Sequence, residues 1–207
     1  MPREIHGVRI YPDSVDTVPG EGATIYVHGS VSKDCSDFFY IFRPLADLWR
    51  DHYFAKDFTV TYGENGREDP MPDLRAAYGP SLVNADIDSQ MAILRGDDFL
   101  EWGASYYAVG GALLPVFSRV PSFDVLTELF WSPTFRLTAD TWPENCRAML
   151  HMWDDIYWQL FTTVRTDVDR LVTAHSADPL LRIYSVDLEK EYPDPSNLPL
   201  QPATHVP

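Results

Sequence analysis

"IYWQLFTTVRTDVDRLVTAHSADPLLRIYSVD", residues 156–187, is the stretch whose reading decides the fold class. Ile156, Trp158 and Leu160 alternate with Tyr157, Gln159 and Phe161, so residues 156–163 read as a strand with two largely apolar faces. That pattern favours a central strand over an edge. Thr166 then offers a capping oxygen, and Asp169, three residues on, completes a box-like pattern with an acid in the first turn. Val168, Leu171, Val172 and His175 form the inner stripe of a helix. "LLRIYSVD", residues 180–187, reads as a returning strand. The 17 residues of 164–180 suffice for a right-handed crossover, so the two strands are expected to run parallel. The stretch predicts a C-terminal βαβ unit.

Upstream, Asp140 and Thr141 offer capping oxygens and Pro143 suits a first helical position, while Cys146, Met149, Leu150 and Trp153 recur at helical spacing. Residues 143–153 are therefore read as a helix. Asp154 and Asp155 then fall at a joint between helix and strand, where the negative end of the helix dipole disfavours acids. Further helices are expected over residues 83–95 (Val83, Ile87, Met91 and Leu94 on one side), over 97–107 and in "SFDVLTELFWS". Pro44 opens another, with Leu45, Leu48, Trp49, His52 and Tyr53 as its stripe. "REIHGVRIY", "ATIYVHGS" and "DFTVTYG" read as strands. The fold class is α+β or α/β: a mixed sheet of five or more strands with packed helices. One globular domain is expected over residues 1–192. A tail over 193–207 follows, too rich in proline for a helix or an interior strand.

Composition narrows the function. With 207 residues, 45% of them apolar and 14% aromatic, the chain is long enough to bury a sizeable core. No apolar run reaches the ~18 residues that span a bilayer. The first residues lack the pattern of a secretory signal, so a cytoplasmic location is expected. Cys35 and Cys146 lie in unrelated contexts without CxxC spacing, and read as free thiols. The net charge of −15 repels nucleic acid and anionic lipid and attracts a basic protein.

Catalytic signatures are weak. Neither a phosphate loop nor a dinucleotide fingerprint occurs; "VGGALL" lacks the spacing. His28 and Ser30, in "HGS" after an expected strand, form the best nucleophile pair, but without a GxSxG elbow or an assignable base. No metal site or cofactor is expected: the acids Asp154 and Asp155 have no histidine at ligand spacing. The remaining signal is acids beside aromatics, types enriched in interface hot spots. Asp97, Asp98, Glu101 and Trp102 form one such patch, Trp153, Asp154 and Asp155 a second, and Glu64, Glu68 and Asp69 a third, purely acidic one. The expectation is a protein that covers a basic partner, as an immunity protein covers the active site of its toxin. A hydrolase-like enzyme around His28 and Ser30 is the alternative, and a structural or assembly subunit a further one. Exposed acids with exposed aromatics favour the binder, and convergent polar groups in a deep pocket favour the enzyme.

Overall fold

In the computed structural model of the chain, the quoted stretch is strand, helix, strand: Tyr157–Thr162, Arg165–His175 and Leu181–Val186. The structure describes residues 4–12, 36–60, 62–63, 66–67, 69–108, 113–132, 137–153, 157–178 and 181–188. In chain order the elements are β1 (His6–Pro12), α1 (Ser36–Phe42), α2 (Ala46–Trp49), β2 (Tyr53–Asp57), β3 (Tyr62–Gly63), β4 (Gly66–Arg67), α3 (Met71–Tyr78), β5 (Leu82–Asp86), β6 (Met91–Arg95), α4 (Phe99–Ala108), β7 (Leu113–Phe117), α5 (Phe123–Trp131), β8 (Cys146–Trp153), β9 (Tyr157–Thr162), α6 (Arg165–His175) and β10 (Leu181–Val186). Short 3-10 turns precede α2, β5 and α4.

The fold is α+β. Eight strands form one sheet in the order β10-β1-β9-β8-β7-β2-β6-β5, while β3 and β4 make a separate ribbon. The crossover through α6 carries β10 past one strand position, and β1 fills the gap. β1 pairs antiparallel with β9 on one side and with β10 on the other. β9 and β10 therefore run parallel, as expected, but across β1. Every hydrogen-bonded pair in the sheet is antiparallel, where a mixed sheet was expected.

Both faces of the sheet are covered. Val8, Ile10, Phe54, Leu94, Leu150 and Leu160 meet Phe38, Ile41, Trp49, Phe99 and Leu171 on the face carrying α1, α2, α4 and α6. Ala55, Met91, Ile93, Met149 and Phe161 meet Leu126 and Leu129 of α5 on the other. Burial on both faces removes the alternation that marks a half-exposed strand. This is why two strands resemble helices in the sequence.

Residues 143–153 are the first case. They hold no helix; β8 is a central strand between β7 and β9. Thr138 and Thr141 bond each other's backbone and hydroxyl groups in a turn. The Pro143 carbonyl accepts from Cys146 N, and Asn145 takes a left-handed φ of +59°, so the chain leaves the turn extended. Residues 83–95 are the second case. They form the β5–β6 hairpin, with Met91–Leu94 all buried. Asp86 Oδ2 accepts from Ser89 N, three residues on, at 2.8 Å, a side-chain bond that closes the turn and that the helical reading overlooked.

Two boundaries also move. α2 ends at Trp49, so His52 and Tyr53 leave the expected stripe and Tyr53 opens β2. α6 starts at Arg165, with Val164 rather than Thr166 at the cap. Of "DFTVTYG", Asp57 ends β2 and Tyr62 and Gly63 form β3, while residues 58–60 are not strand; Phe58 N donates instead to the Gln90 carbonyl. "ATIYVHGS" and residues 193–207 lie outside the described residues.

Candidate functional site

One residue of β8 is displaced from the sheet pattern. Val116 pairs with Ala148 and Phe117 with Cys146, so Arg147 is the extra residue of a β-bulge. A bulge re-aims its side chain and strengthens local twist. Cys146 and Ala148, two apart, accordingly join opposite faces of the core. The freed Arg147 side chain reaches Asp167 in the first turn of α6.

The pairing is side-on and bidentate. Arg147 Nε donates to Asp167 Oδ2 at 2.9 Å and Nη2 to Oδ1 at 2.6 Å. Asp167 is fully buried and also accepts from Trp49 Nε1 at 3.2 Å and Thr162 Oγ1 at 3.1 Å. Oδ2 takes three of these bonds and Oδ1 one, and the positive end of the helix dipole adds to the carboxylate's stabilisation. It ties α2, β8, β9 and α6 together. On its other side the guanidinium donates from Nη1 to His52 Nε2 at 3.1 Å. That bond fixes the neutral tautomer with its proton on Nδ1, which is buried without a partner. Burial holds the His52 pKa below its usual value, and the neighbouring Arg147 charge adds to the effect; Asp167 and Asp51 oppose it.

A pocket of about 270 Å³ opens beside this cluster, lined by His52, Ser118, Asn145, Cys146, Arg147 and Thr163 among others. Cys146 is a buried free thiol that donates to the Ala148 carbonyl at 3.4 Å. Among the described residues no group of three or more His, Cys, Asp or Glu side chains is placed to hold a metal ion. No helix among them is long and apolar enough to cross a membrane.

The surface acids are the second feature. Asp69, Asp97, Asp98 and Glu101 are exposed, the last three in the turn and first residues of α4. Trp102, their expected aromatic companion, is instead core: it is buried against Phe54 and Phe99, and its Nε1 donates to the Arg95 carbonyl at 3.3 Å. Trp153 ends β8 opposite Tyr157, so no helix end precedes Asp154, and the dipole argument there falls away. Asp154, Asp155, Glu64, Glu68, His28 and Ser30 lie outside the described residues.

The exposed tryptophan is one that sequence reasoning passed over. Trp131, at the end of α5, is 49% exposed, and its Nε1 donates to the Ser89 carbonyl in the β5–β6 turn at 2.7 Å. That bond brings it to exposed Asp88, while exposed Glu128 lies three residues back on the same helix face. The signal was the amphipathic pattern of α5, in which Leu126 and Leu129 point inward and position 131 does not. Two cations are turned inward. Lys56 is buried, with Nζ 2.8 Å from the Tyr78 hydroxyl, and the Arg147 side chain is 17% exposed. No protein-family model, curated protein or solved structure matches the chain.

Proposed function

We propose that the chain is a binding protein for a basic protein partner, acting in the cytoplasm as an immunity protein does, by covering a toxin domain's active site. The observation that carries this reading is Trp131: a half-exposed indole, anchored by its own hydrogen bond and adjoined by the exposed acids Asp88 and Glu128. A preordered aromatic loses little entropy on docking and is the commonest kind of hot spot. The net charge of −15 supports it. Such a field accelerates encounter with a basic surface.

The test is a partner isolated on the immobilised protein, followed by association kinetics at two salt concentrations. Charge reversal to lysine at Asp97, Asp98 and Glu101 is expected to slow association and flatten its salt dependence while the thermal transition is retained. An acidic partner, or association indifferent to salt in the unmodified protein, contradicts the reading.

A further inference from the structure

The pocket beside Arg147 is not used by a protein-binding surface centred on Trp131. Three of the five guanidinium N–H groups are engaged, two by Asp167 and one by His52. One N–H on Nη1 and one on Nη2 remain, and the partly exposed guanidinium lines the pocket. No carboxylate lines it; Asp167 stands behind the arginine, fully buried. The lining also presents acceptors. The Ser118 hydroxyl donates to the Asn145 carbonyl at 3.2 Å, and the Thr163 hydroxyl donates to the Arg147 carbonyl at 3.2 Å. With their hydrogens engaged, both oxygens offer lone pairs to the pocket.

We propose that this pocket binds a small carboxylate that also carries a hydrogen-bond donor, a hydroxy acid or an amino acid. The two remaining guanidinium N–H groups match a carboxylate. The oxygens of Ser118 and Thr163 accept from the ligand's hydroxyl or ammonium. They also discriminate against sulfate, which is fully deprotonated, carries no donor and would set its oxygens against these lone pairs. The acidic surface does not decide the matter, because exposed charges are screened beyond ~8 Å at physiological salt. Arg147 is held in place by Asp167 before any ligand arrives, so no ordering of the side chain opposes binding.

The probe is glycolate, with propionate as the carboxylate of similar size lacking the donor, and sulfate as the competing anion, all at constant ionic strength. The Arg147 Nε–H and Asn145 side-chain amide resonances are followed by NMR. Glycolate is expected to shift them saturably, propionate to bind at least threefold more weakly, and sulfate to give no saturable shift. Ser118→Trp places a large ring over the pocket from an exposed position, and should weaken glycolate binding at least tenfold. Thr163→Val keeps the fold, since the Arg147 carbonyl still accepts from Thr163 N at 2.9 Å. It should reduce glycolate to the affinity of propionate, and decides the matter alone if Ser118→Trp fails to fold. Absence of a saturable shift overturns the proposal, as does sulfate binding as tightly as glycolate, or glycolate binding unchanged in Thr163→Val.

Discussion

Arg147 owes its place to one extra residue in β8, and its energetics follow from what that residue reaches. Asp167 is buried with four hydrogen bonds, two of them from Arg147. Asp167→Ala leaves a mostly buried guanidinium without its counter-ion, and orphans Trp49 Nε1 as well. Breaking a buried pair from one side costs about 3 kcal/mol, and urea denaturation should show a loss of that order. A loss within the error of the measurement would mean that solvent replaces the carboxylate. His52 supplies the pH dependence. Its pKa is lowered in the fold, chiefly by burial and then by Arg147, with Asp167 and Asp51 acting in the opposite sense. The folded state thus prefers neutral imidazole, and its contribution is complete above the unfolded value of about 6.5. It is lost as pH falls through that value toward the lower folded one. His151, also lowered by burial, acts in the same direction. His52→Gln keeps an acceptor for Arg147 Nη1 and cannot titrate, so its unfolding midpoint should fall less than the wild type's between neutral and mildly acidic pH. Parallel falls would assign the acid sensitivity to His151 or to the carboxylates.

At the scale of elements, β8 makes a sharp claim. Met149 and Leu150 are adjacent, both essentially buried, and belong to opposite faces of the core. Met149→Ala and Leu150→Ala should each cost about 2–5 kcal/mol by loss of transfer energy and cavity formation. A helix with one inner stripe, or a strand covered on one face, would make at least one of them nearly neutral; equilibrium unfolding of the two variants decides it. The same double burial sets what the sequence disclosed. β9, α5, α6 and β10 were legible, because their stripes or runs are bounded by turn chemistry or suit a single reading. β8 and β6 were not, since Cys146, Met149, Leu150 and Trp153 satisfy helical spacing by chance once both strand faces are apolar. The turn signals that break the tie, Asn145 at positive φ and the Asp86 side chain bonded to Ser89 N, are single residues. The Arg147–Asp167 pair was illegible for another reason. It joins residues twenty apart through a bulge, and neither local period nor spacing encodes a bulge.

Across the whole molecule, charge and aromatics are sorted differently from their order in the chain. The sequence put its acids beside Trp102 and Trp153; the fold buries Trp102 among Phe54 and Phe99 and leaves Trp131 outside, next to Asp88 and Glu128. A protein that docks a basic partner through that face divides its kinetics between the two groups. Acids act at long range, on the encounter; a buried anchor acts after contact, on escape. Trp131→Ala removes an indole that is already half exposed and one hydrogen bond to the Ser89 carbonyl, so the free protein should lose about 1 kcal/mol of stability. In the complex the same substitution removes the anchor, and dissociation should accelerate enough to cost about 2 kcal/mol or more, with association nearly unchanged. Glu128→Lys, one turn away and exposed, should show the converse: slower association at low salt and little change in dissociation. Surface plasmon resonance on the two variants separates the roles. Should Trp131→Ala leave dissociation untouched while Glu128→Lys slows association, the partner meets the acidic surface elsewhere, and the patch of Asp97, Asp98 and Glu101 becomes the face to map.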